Sequence, residues 1–169
     1  MANASAQFED LLGDYINGGV TSVASSNHSF SGSPDFGSIY SAWSSGQVYL
    51  ALSTDSSLDV RFDSFNELSG NGYNRVNTSS NSGSSSLEIT GTSGTDGSWE
   101  NEYDISFAQS TASWGTVYFA IFCYNDGSDD FPLIACPIGG GTMASPTGVS
   151  VGNNTTLTFS AGDLKYTIA

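Results

Sequence analysis

The segment Val117–Tyr124 (VYFAIFCY) has no polar side to turn toward water, and its aromatic and β-branched residues favour extended backbone. It predicts a central strand covered on both faces. Asn125-Asp126-Gly127 follows as a turn, after which Phe131–Ile138 returns through the same core. Shorter runs elsewhere alternate with a period of two. Gln47–Ser53 (QVYLALS) sets Val48, Leu50 and Leu52 on one face, and Tyr103, Ile105 and Phe107 alternate with Asp104 and Ser106. Both read as half-buried antiparallel strands. Thr156–Ser160 (TLTFS), an Ala161-Gly162-Asp163 turn and the alternating Leu164, Tyr166 and Ile168 continue the pattern. The fold class is therefore mainly β, an antiparallel β-sandwich or jelly-roll-like domain of about seven or eight strands separated by Gly, Ser, Asn and Asp clusters.

One stretch breaks the β pattern. Phe8, Leu11, Leu12, Tyr15 and Ile16 recur at helical spacing and Asn17-Gly18-Gly19 stops the run, so residues 5–19 predict an amphipathic helix. The layout that follows is a helical segment at 1–20, packed on the body or on a neighbour, and a single β-domain at 21–169. A chain of 169 residues hides about 70% of its unfolded surface on folding and needs no staples. Ser/Gly-rich stretches at 21–45 and 77–98 read as surface excursions, the second with one short strand around Leu87 and Ile89. Neither a repeat nor a heptad run is visible, and a long fibre shaft needs one or the other.

Charge removes whole classes of partner. Arg61, Arg75 and Lys165 stand against 17 carboxylates, for a net charge of −14. Phosphate backbones and anionic lipid both require clustered Lys and Arg, so neither nucleic acid nor a membrane surface is an expected partner. Hydrophobic residues make up 38% of the chain and include ten Phe and eight Tyr, which sets it apart from a disordered acidic tail. No run reaches transmembrane length, and MANASAQFEDLL lacks the basic-then-apolar layout of a cleaved signal.

Read in order, several segments resemble the family of small tailed-bacteriophage virion proteins commonly labelled phage tail fibre proteins. They are the helix closing on Gly-Gly (FEDLLGDYINGG), the strand YLALST at Tyr49–Thr54, and GYNRV at Gly72–Val76. WGTV at Trp114–Val117 and AGDL at Ala161–Leu164 complete the set. The resemblance implies a place in the virion, assembled in the host cytoplasm, and offers no catalytic residues to carry over. What it implies is a non-enzymatic structural component: a short tail fibre, adaptor or surface-decoration unit, joined to itself as a homo-oligomer and to neighbouring virion proteins. Alternatives are a host-glycan-binding module of a tail fibre and a capsid decoration (cement) protein.

The residues themselves offer little for catalysis. His28, the only histidine, sits in a Ser-rich loop, and no G-x-S-x-G elbow precedes a helix. Asp59, Asp63, Glu67, Glu100, Glu102 and Asp104 could supply the acid pair of a glycan-cleaving enzyme, but nothing in their spacing selects a pair, and solvated surface acids are the simpler reading. The Asp-rich turn at 125–130 could hold calcium, yet it lacks the EF-hand spacing and terminal Glu, so neither metal nor cofactor is expected. Trp99 and Trp114 flank a strand and suit the core, which leaves Trp43, in its Ser-rich loop, as the candidate exposed contact. If the hairpin between Cys123 and Cys136 is symmetric about Asp129–Asp130, the two cysteines face each other within reach of a disulfide. Assembly in reducing cytoplasm favours two free core thiols instead.

Overall fold

The computed structural model describes residues 3–4, 48–59, 61–78, 87–90, 97–101, 103–125 and 130–168. The expected helix at 5–19, the connection at 21–45, His28, Trp43 and Glu102 lie outside the described residues. Residues 3–4, just ahead of the expected helix, pair as a strand.

Described strands in chain order are β1 (Asn3–Ala4), β2 (Val48–Ser53), β3 (Val76–Asn77), β4 (Leu87–Thr90), β5 (Gly97–Asn101) and β6 (Ile105–Ser106). After them come β7 (Gly115–Val117), β8 (Phe119–Asn125), β9 (Asp130–Pro137), β10 (Val149–Val151), β11 (Thr158–Phe159) and β12 (Lys165–Ile168). All their pairings are antiparallel, so the mainly β expectation holds. The largest sheet has the order β1-β9-β8-β2-β3; β10 pairs β7, β11 pairs β6, and β12-β5-β4 form a three-stranded sheet. The strands outnumber the sequence reading because several are only two residues long, too short to show any periodicity.

The apolar run does become a central strand, with β9 on one side and β2 on the other. From Phe119 to Tyr124 every side chain is buried. Even-numbered Ala120, Phe122 and Tyr124 join one cluster with Leu50, Ile134, Phe107, Trp114 and Phe159; odd-numbered Phe119, Ile121 and Cys123 join another with Ala51, Ala135, Phe62 and Met143. The sheet thus lies between two cores, the first roofed by residues of β6, β7, β10 and β11. This double cover corrects the half-buried reading of β2, in which Ala51 and Ser53 are as buried as Leu50. Tyr103 is also corrected: Ile105 and Phe107 point into the core, but Tyr103 is 37% exposed.

The β8–β9 hairpin is not symmetric about Asp129–Asp130. Asn125 pairs with Asp130 and Tyr124 with Phe131, and a bulge then leaves Leu133 unpaired between Pro132, opposite Cys123, and Ile134, opposite Phe122. Cys136 consequently faces Ala120. The cysteines are free, buried, and in different cores on opposite faces of the sheet. A bridge would have to pass through the sheet itself.

Candidate functional site

The segments GYNRV, WGTV and AGDL each end in dense hydrogen bonding. In the first, Asn71 and Gly72 both hold positive φ, 52° and 79°. A β-carbon on Gly72 would stand 3.1 Å from the Thr111 methyl and 3.3 Å from the Gln109 carbonyl, so the turn needs glycine for space as well as conformation. The turn delivers Tyr73 and Arg75 to the edge of β2. There the Tyr73 hydroxyl accepts from Leu52 N–H at 3.0 Å and donates to Glu67 Oε1 at 2.8 Å. Arg75 grips the same carboxylate with two nitrogens, Nε to Oε1 at 2.8 Å and Nη2 to Oε2 at 2.6 Å. Its remaining nitrogen, Nη1, reaches Asp130 Oδ1 at 2.8 Å, an oxygen that also accepts from Asn125 Nδ2 at 2.6 Å.

This cluster ties the loop at 67, the edge of β2 and the base of the β8–β9 hairpin together. Burial pushes the Tyr73 phenol far above its ordinary range; Leu52 N–H and Arg75 offset that in part, and Glu67 reinforces it. The hydrogen bond to Glu67 likewise raises Arg75. A phenol that keeps its proton, beside a fixed ion pair, neither gives nor takes protons near neutrality. The arrangement can brace the backbone and offers no reactive group.

The other two segments behave alike. Trp114 is buried, donates Nε1–H to Asn71 O at 2.9 Å and meets the Tyr73 ring edge-on with centroids 5.8 Å apart. AGDL closes on Asn101, whose amide, 1% exposed, donates to Tyr103 O and Ser160 O and accepts from Leu164 N–H at 2.9 Å. Asp104 Oδ1 accepts from Ala161 N–H, and Asp163 Oδ2 from Ser160 N–H. Such fully paired corners fix where strands start and stop. Sequence reasoning passed over Asn71, Asn101 and Ser110, whose hydroxyl donates to Gly152 O at 2.6 Å and accepts from Thr155 N–H at 3.0 Å; Asn-Gly at 71–72 was the legible sign, while an isolated buried Asn or Ser carries none.

Of the acids considered for glycan cleavage, the described ones each have a separate setting. Glu67 is held by Arg75, Glu100 pairs with Lys165 at 3.2 Å, and Asp59 caps the backbone N–H of Arg61. Asp63 and Asp104 are exposed. An open cleft of about 330 Å³, between the end of β9 and the β11–β12 turn, has Ile138, Val149, Leu157 and Phe159 in its wall and, among the described residues, Asp163 as its sole acid. That leaves the cleft without the opposed carboxylates that hydrolysis of a sugar linkage uses. Among the described residues no three His, Cys, Asp or Glu side chains gather where a metal could sit, and the acidic turn at 126–129 is outside them. No helix among the described residues is long and apolar enough to cross a membrane.

Comparison with known proteins supplies the context for this bracing. No curated protein and no solved structure matches the chain. The family described as Podophage GP4 fiber I protein gp80 does match, over residues 39–167, a span that holds every described strand except β1 and the last residue of β12. With most of its length and nearly all of its β-body inside that match, the chain belongs to the podophage fibre family Podophage GP4 fiber I protein gp80.

Proposed function

We propose that the chain is a non-enzymatic building block of a podophage fibre: a short fibre unit or adaptor that associates with copies of itself and with neighbouring virion proteins, and is assembled in the host cytoplasm. The observation that carries this reading is the match of the fibre family across the β-body. Support comes from the way the chain uses its polar groups. Tyr73, Arg75, Glu67, Asn101 and Trp114 all serve to lock backbone in place, as a load-transmitting unit requires. The ribbons roofing the large sheet suit a compact sandwich-like body with rigid corners. Because the matching family is named for a fibre, the fibre is preferred to the capsid surface as the site of assembly. Purified phage particles analysed by mass spectrometry, with sedimentation of the isolated chain, test the proposal. Multiple copies per particle and a closed oligomer are the expected results; a monomer absent from washed particles overturns it.

A further inference from the structure

The outer edge of β9 is an unusual place for a two-residue strand. β9 is eight residues long, and its side chains from Phe131 to Cys136 are buried. Only Leu133–Cys136 can accept a partner in register, because Pro132 and Pro137 lack the N–H that strand addition needs and bracket the window. Ile138 N–H donates to Tyr118 O toward β8, so by alternation Ala135 turns its hydrogen-bonding groups to the outer edge. β1 fills that window, Asn3 opposite Ala135 and Ala4 opposite Ile134.

The connection from β1 to β2 does not oblige both strands to come from one copy. Ala4, Ile134, Phe122 and Leu50 form one cross-strand row, so the exit of β1 and the entry of β2 lie at the same end of the sheet. Three strand spacings separate them, roughly 15 Å. Residues 5–47 join them, and a chain of that length can extend to on the order of 100 Å. The register on β9 is the same whichever copy supplies the strand. Having no heptads and no repeats, the chain needs some other device to hold its copies together, and exchange of an identical element is a low-cost one.

We propose that β1 is an exchanged strand: the Pro-bracketed slot on β9 receives residues 3–4 of a second copy of this chain, so that copies are linked edge to strand. This rests on the fibre-unit reading and names the partner of its assembly surface. Its test is a pair of cysteines across the register, Asn3→Cys with Ala135→Cys, in the full-length chain. Directly paired strand residues have Cα atoms about 4.5–5.5 Å apart, within disulfide range. Ala4→Cys with Ile134→Cys gives a second pair should the small Ala135 site not tolerate sulfur. After oxidation and denaturing electrophoresis without reductant, exchange predicts that most of the chain runs as covalent multimers that reduction returns to monomer. A cross-linked monomer overturns the proposal, and so does a folded variant that forms no cross-link. The wild-type chain, with its two thiols buried, controls for background linkage. Should the cross-link be intramolecular while sedimentation still shows an oligomer, exchange fails and the fibre-unit reading stands.

Discussion

Tyr73 and Arg75 owe their positions to one left-handed turn, and what they do there can be measured one atom at a time. Tyr73→Phe leaves Leu52 N–H and Glu67 without the hydroxyl, and should cost about 1–2 kcal/mol of unfolding free energy. Arg75→Gln removes three charge-assisted contacts, though the arginine is 23% exposed, so about 1–3 kcal/mol is expected rather than the larger penalty of a fully buried pair. Denaturant midpoints of the two variants check both figures. A neutral Arg75→Gln would mean that the ion pair is ornamental. The cysteines make a separate case. Burial raises both thiols to about 12, so the folded chain keeps protons that the unfolded chain releases. Their contribution to stability is therefore whole below an unfolded pKa of about 8.5 and is lost as pH climbs toward about 12. Wild type should lose more stability on going from about pH 8 to about pH 10.5 than Cys123→Ala/Cys136→Val does. Equal slopes would contradict the burial. Alkylating the denatured protein without reductant should add two groups, one for each free thiol.

Elements differ in how strictly their geometry is enforced. The hairpin-like loop after β9 turns at Gly141, with φ near 90°, where a β-carbon would lie 2.4 Å from Ser145 O and 2.9 Å from Pro146 Cα. Gly141→Ala should cost at least about 2 kcal/mol, since conformational strain and a backbone clash act together. An unchanged melting temperature would show that the loop can shift. The loop is anchored by Met143, which is buried in the second core and whose carbonyl accepts from Leu58 N–H at 2.9 Å. Legibility in the sequence follows the same division. β8 and β9 were readable because each is long and apolar, and β2 because Val48, Leu50 and Leu52 recur with a period of two. The pairing of β6 with β11 was not, since Ile105–Ser106 and Thr158–Phe159 are two-residue contacts set by tertiary packing. The cysteine register was missed for a specific reason: Asn125-Asp126-Gly127 marks where the turn begins but not its centre, and the bulge at Leu133 leaves no mark in composition. Of the bracing cluster, GYNRV was visible as a segment, but Asp130 is far off in sequence, and Glu67, though only 8 residues before Arg75, meets it only through the turn at Asn71–Gly72.

At the scale of the whole molecule, a five-stranded sheet lies between two cores, its polar groups are engaged in holding corners, and its family is one of podophage fibres. The chain carries a formal net charge of −14, so copies packed side by side repel at long range and must be held by short-range contacts. Oligomers should therefore tighten, or at least persist, as salt is raised; dissociation at high salt would instead point to ion pairs as the glue. The most direct measurement is cryo-EM of the intact particle at a resolution that separates strands. Several symmetry-related copies of this β-body should appear within a tail fibre. Density for it confined to the capsid surface, or none on the particle at all, would rule out a fibre component.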